Sequence, residues 1–171
     1  MANKSFDFST KGLKALEEYL NKYKNTLETK ASTFVYRLAE IGLPIIEEKI
    51  NESQTTADKS HDTYIKVTHI DGGTQATLIL SGAQMVFIEF GAGVHYNGIV
   101  GSSPHPKGAE LGFTIGSYGN GNGQYDTWFY YDENGNLIET YGTEATMPMF
   151  SASNEIELKM IRIAKEVFKN G

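Results

Sequence analysis

The chain has 171 residues, of which 40% are apolar and 21% charged, and its formal net charge is −6. A chain of this length suits a single domain over residues 1–171 that buries roughly 70% of the surface its unfolded form exposes, and the composition is that of a globular chain, not a disordered one. There is no cysteine, so disulfides, thiolate metal sites and a cysteine nucleophile are all excluded.

A cysteine-free chain suits a reducing cytosol. Met1-Ala2-Asn3-Lys4-Ser5 leads into charged residues, so no signal peptide is expected. No run approaches the roughly 18 apolar residues of a membrane span. The charge is unevenly spread. Residues 1–60 hold nine acidic and nine basic side chains, residues 61–147 nine acidic against Lys66 and Lys107 alone, and the remainder sums to +1. A basic patch that would neutralise phosphates is therefore not expected, and neither is tight nucleic-acid binding.

The N-terminal part, residues 1–53, reads as helical. Leu13, Leu16, Leu20, Tyr23 and Leu27 recur at spacings of three and four and share one helix face. Ser9 or Thr10 is positioned to cap the start. Ala31, Phe34, Val35, Leu38, Ile41, Ile45, Ile46 and Ile50 continue the pattern, and Gly42 with Pro44 predicts a kink or break near Leu43. A linker over 54–62 follows. Tyr64–Ile70 and Leu78–Leu80 read as strands about an Asp71-Gly72-Gly73 turn. Met85–Phe90 alternates, with Val86, Ile88 and Phe90 on one side, and predicts a buried third strand. Residues 62–90 and 124–142 together would form an antiparallel sheet.

Between those parts, residues 91–123 carry ten of the eighteen glycines and only two charged side chains, Lys107 and Glu110. A glycine-rich arm or loop of this length and irregularity is expected to be functional, or disordered until a partner orders it, with Ile99–Lys107 mobile in the isolated chain. Gln124–Tyr131 reads as a strand holding the only tryptophan, Trp128. Asn134-Gly135 reads as a hairpin turn and Leu137–Tyr141 as its return strand. The last element, residues 147–169, reads as a helix capped by Thr146, with Pro148 in the first turn and a stripe of Ile156, Met160, Ile163 and Val167. This order predicts an α+β domain with N-terminal helices and a C-terminal helix packed on an antiparallel sheet.

Chemistry-bearing motifs are sparse. Gly119-Asn120-Gly121-Asn122-Gly123 leads into a β-type segment instead of a helix N-terminus and lacks the Lys and Ser/Thr of a phosphate loop. His61, His69, His95 and His105 fall on strands and loops without a zinc-binding spacing. No Gly-x-Ser-x-Gly elbow occurs. The aromatic run Tyr125–Tyr131 lacks the flanking cations of a nucleic-acid platform and suits a half-core, half-interface strand. An enzyme is not expected, nor a cofactor or metal. The alternatives left open are a small metal- or nucleotide-dependent enzyme and a monomeric binding module.

One ordered constellation says more than any single motif. Phe87-Ile88-Glu89-Phe90-Gly91-Ala92-Gly93-Val94-His95 is followed by His105-Pro106, the glycine run 119–123, Trp128-Phe129-Tyr130, Thr140-Tyr141-Gly142-Thr143 and Met147-Pro148-Met149-Phe150. Over residues 30–170 this series resembles the head-tail joining and tail-completion (neck, tail-terminator) proteins of long-tailed bacteriophages and related prophages or tailocins. The resemblance implies a structural α+β subunit, without catalytic residues, that forms a homo-oligomeric, hexameric ring through which DNA passes without specific binding. It further implies contacts with a capsid connector or head-closure protein and a tail-tube protein, assembly in the host bacterial cytoplasm and a place in the virion at the neck or tail top. Subunit contacts would come from Glu89, Phe90, Gly91, Gly93, His95, Tyr96, His105, Pro106, Tyr118 and Trp128. The Glu89 carboxylate, among apolar neighbours, would either be tied to a backbone amide or cation or face solvent.

Overall fold

The structure, a computed structural model, describes residues 5–55, 58–70, 73–92, 95–96, 99–100, 103–113, 127–132 and 134–169. It is dominated by α1, a helix over Thr10–Glu52 of 43 residues and roughly 65 Å long. Ser9 caps it as expected, its Oγ accepting from the Gly12 N–H at 3.0 Å. Of the kink or break expected near Leu43 the break does not occur, and one continuous helix stands where N-terminal helices were expected. Pro44 lies inside α1 on its exposed side, where the lost hydrogen bond and ring clash cost about 3 kcal/mol. Just beyond it Ile46 and Ile50 are fully buried, each contributing about 1.5–3 kcal/mol, so packing carries the helix through the proline.

Strands β1 (Asp62–Ile70) and β2 (Gly73–Ser81) form an antiparallel hairpin. Ile70 pairs with Gly73, leaving two residues, 71 and 72, for the connection, as the Asp-Gly signal predicts. β2 lies along α1: Ser32 Oγ and Thr74 Oγ1 are 2.7 Å apart, and Leu78 and Leu80 pack against the buried cluster to which Ile46 and Ile50 belong. Gly42 is the point of closest approach. A Cβ there would meet Leu78 Cδ2 at 2.4 Å and Ala152 Cβ at 3.4 Å.

The expected third strand is instead a short helix, α2 (Met85–Phe90). Alternation in six residues fits both periods. The inward set is Met85, Ile88 and Glu89, which is the i, i+3, i+4 spacing of a helix face, and Val86 is exposed. There is accordingly no single large sheet among the described residues. β3 (His95–Tyr96) pairs with β4 (Ile99–Val100), and β5 (Trp128–Tyr131) with β6 (Leu137–Thr140), each as a separate two-stranded ladder. The β5–β6 connection is also larger than a two-residue turn. It spans 132–136, with the Asp132 carboxylate accepting from the N–H groups of Asn134 and Asn136 and a left-handed Gly135 at φ 79°.

Helix α3 (Pro148–Phe168) runs antiparallel along the C-terminal half of α1. Phe34 packs on Phe168, Arg37 pairs with Glu166 at 2.7 Å, and Gly42 faces Ala152. Ile46, Ile50, Met85, Ile88 and Ala152 form the core between α1, α2 and α3, closed by β2. The chain is thus an α+β fold with an N-terminal helix, an antiparallel hairpin and a C-terminal helix. Among the described residues, no helix is long and apolar enough to cross a membrane.

Candidate functional site: the Glu89 junction

α2 brings Glu89 to the start of α3. Ile88 O accepts from the N–H groups of Thr146 (3.0 Å) and Met147 (3.3 Å). Met147 there adopts a left-handed conformation, φ 54° and ψ 55°, at a cost of roughly 1–2 kcal/mol for a residue with a side chain. Pro148 follows at the first helical position. The expected cap, Thr146, does not cap α3. Its hydroxyl donates to Lys49 O at the C-terminal end of α1, at 2.7 Å. The first turn of α3 holds no acidic residue and no side-chain cap from its own neighbourhood.

Glu89 fills that vacancy. Its Oε2 accepts from Met149 N–H at 2.7 Å and its Oε1 from Phe150 N–H at 2.9 Å. Two donors that a helix start leaves unpaired are thereby satisfied, and a negative charge sits at the positive end of the helix dipole. Of the two expectations for Glu89, the tie to backbone amides holds. The residue is 7% exposed.

His105 completes the junction. Its Nδ1 accepts from Lys107 N–H at 3.0 Å, which leaves the proton on Nε2, 3.3 Å from Glu89 Oε1. The ring packs against Phe90 (centroids 4.4 Å apart) and edge-on to Phe150 (5.2 Å), while Phe90 stacks on Phe113 at 4.3 Å. Ser103 Oγ donates to Phe90 O and accepts from His105 N–H at 3.2 Å. Residues 103–113 are therefore folded onto the core, with His105, Gly108 and Phe113 buried. Within the stretch Ile99–Lys107 that is expected to be mobile, Ser103 and His105 thus have contacts with Phe90 and Glu89.

The remaining predicted residues are dispersed. Gly91 ends α2 in a left-handed conformation, φ 81°, and Ala92 then pairs with Thr143 through two backbone hydrogen bonds of 2.9 and 2.8 Å. His95 and Tyr96 lie opposite Val100 and Ile99. Pro106 is exposed. Trp128 starts β5 opposite Thr140. Gly93 and Tyr118 lie outside the described residues, as does the glycine run 119–123. The contacts of Glu89, Gly91 and His105 are intrachain.

Sequence reasoning did not foresee that Met149 and Phe150 are the partners of Glu89. The usable signal was a vacancy, a Pro-led helix with no acidic residue in its first turn. Chemically the junction is a structural clamp: the side chains of His105 and Glu89 are 8% and 9% exposed and already engaged with one another and with backbone. Among the described residues no three His, Asp or Glu side chains converge in a metal-binding group. No protein-family model matches this chain, and neither a curated protein nor a solved structure does.

Proposed function

We propose that this chain is a structural, non-catalytic subunit of a phage-type particle, a ring-forming tail-completion or head-tail joining protein that closes the tail tube or links it to the capsid connector. The observation that carries this reading is the Glu89 junction. Three motifs that the resemblance singles out, Glu89-Phe90-Gly91, His105-Pro106 and Met147-Pro148-Met149-Phe150, are far apart in sequence. They meet through hydrogen bonds and ring contacts at one place.

That convergence gives the series a physical purpose. The clamp fixes the point where the chain leaves the core at Gly91 and pins 103–113 beside it. The glycine-rich remainder then starts from a fixed point, as a segment reaching a neighbouring subunit requires. The acidic stretch 61–147 suits a ring that lets DNA through without gripping it.

The test is rescue of a particle lacking this protein. Replacing residues 114–123 with a Gly-Ser linker of equal length leaves the clamp intact. It is expected to give a folded protein that leaves heads and tails unjoined, whereas the wild-type chain joins them and appears at the neck or tail top. Full rescue by the linker variant overturns the role given to the glycine-rich segment. Failure of the wild-type chain to locate to the particle overturns the reading itself.

A further inference from the structure

Two apolar stripes are uncovered, and they belong to different helices. On the N-terminal half of α1, Leu13, Leu20, Tyr23 and Leu27 are each about half exposed, between 47% and 53%. With Leu16 they follow the three-four repeat of a narrow helix-pairing seam. Ser32 and Phe34 meet β2 and α3, Leu27 lines a groove with His69 and Thr74 of the hairpin, and Phe6 packs on Tyr19, while Leu13, Leu20 and Tyr23 keep about half of their surface open. On α3, Leu158 and Ile161 are 80% and 69% exposed and line a shallow open groove with Arg162 and Lys165. They point away from α1, which α3 meets through Ala152 and Phe168. The two stripes cannot meet within one chain.

We propose that they meet between copies: the α1 seam of one subunit lies antiparallel along the outer face of α3 of the next. Setting Leu20 opposite Ile161 places Tyr23 opposite Leu158, with Leu16 lying along the aliphatic stem of Lys165. The same register sets Glu17 beside Arg162 and Lys24 beside Glu155, so opposite charges line one edge of the apolar layers. Pairing α1 with α1 also joins unlike charges but leaves Leu158 and Ile161 bare. The joint uses a different surface on each copy, so it is heterologous and propagates head to tail until a ring closes. Its closed symmetry rests on the ring reading above, while the joint itself rests on the two faces alone. A single joint engages far fewer side chains than the roughly 20–30 per partner of a stable pair. It is therefore weak singly and gains from closure, where each subunit is held twice.

The cysteine-free chain permits a direct test. The double variant Leu20→Cys, Ile161→Cys, treated with a short bismaleimide at high protein concentration, is expected to give a ladder of dimers, trimers and higher species. Both sites are exposed, so Tm should not change. Introducing Glu17→Arg in that background should reduce the ladder at least tenfold, and adding Arg162→Glu should restore it. No ladder overturns the joint, as do dimers alone formed equally by Leu20→Cys by itself, the signature of α1 pairing with α1. The particle rescue assay separates the two ideas. An absent ladder with joined particles removes only this joint, and a full ladder with an untagged, unjoined particle removes only the tail-completion reading.

Discussion

The carboxylate of Glu89 accepts from the backbone N–H of Phe150 across 61 residues of chain, at 2.9 Å. A helix start is thus completed by a side chain from another helix, and the two elements cannot separate without exposing unpaired amides. The local backbone reinforces the dependence, since Met147 holds a left-handed conformation that nothing in its own side chain favours.

Glu89→Ala removes the acceptor for Met149 N–H, Phe150 N–H and the His105 Nε2 proton together. It is expected to cost about 2–4 kcal/mol. Glu89→Gln keeps one acceptor but turns an amide donor towards a backbone donor and removes the charge from the helix N-terminus, for a loss of about 1–2 kcal/mol. That corresponds to a Tm fall of roughly 2–8 °C for a chain of this size. Thermal unfolding followed by circular dichroism checks both. An unchanged Tm for Glu89→Ala would show that the clamp carries no stability.

His61 supplies a pH dependence. Its pKa is raised, first by the Lys59 carbonyl, 2.7 Å from Nδ1, and then by the Glu47 carboxylate, 3.0 and 3.1 Å from Nε2. Asp62 adds a smaller contribution of the same sign, and burial opposes them. Only the imidazolium can donate from both nitrogens at once. A folded pKa above the unfolded value of about 6.5 means that this stabilisation is fully present below pH 6.5 and is lost as the pH rises through the folded pKa. Wild type should therefore lose more stability than His61→Gln between about pH 6 and pH 8. The imidazole titration by NMR should have its midpoint above the ordinary histidine value. Parallel pH profiles for the two proteins would refute the linkage.

Legibility in the sequence followed range. The β1–β2 hairpin was readable because its signals, alternation and Asp71-Gly72, lie within one local stretch, and Ser9 as a cap was readable for the same reason. Met85–Phe90 was misread because six residues alternating at Val86, Ile88 and Phe90 also carry the helical set Met85, Ile88 and Glu89. The unbroken passage of α1 through Pro44 was not legible because the local cost of the proline is visible in sequence and the burial of Ile46 and Ile50 among elements far along the chain is not. The seam Leu13–Leu27 was seen as one helix face, but its exposure follows from lengths: α3 has 21 residues against 43 in α1 and ends level with Phe34. Glu89 was recognised as needing a partner, and that partner lay 60 residues away.

Gly42 tests how tightly α1 is held between β2 and α3. For Gly42→Ala the nearest atom is Leu78 Cδ2, at 2.4 Å, the far end of a flexible side chain. A helix-propensity gain of about 1 kcal/mol then offsets the repacking, and stability should stay within about 1 kcal/mol of wild type. Gly42→Val adds methyl groups towards Ala152 and Ile156, each already 3.4 Å from the position of a Cβ. Its expected loss is about 2–3 kcal/mol. Denaturant midpoints at constant slope measure both, and a Gly42→Val protein as stable as wild type would mean that the helices separate freely there.

Pro44→Ala restores an N–H that can donate to the carbonyl of Glu40, one turn earlier, and removes the ring clash with it. Proline in a helix interior costs about 3 kcal/mol, offset in part because it also restricts the unfolded chain by up to about 1 kcal/mol. The side chain is exposed, so no core contact is lost. The expected result is a gain of about 1–2 kcal/mol, read as a higher denaturant midpoint with an unchanged slope. A loss of stability would reverse the assignment of roles. It would mean that the proline sets the helix direction needed to seat Ile46 and Ile50 against Ile88 and Ala152, and that packing at the C-terminal end of α1 depends on Pro44 instead of overriding it.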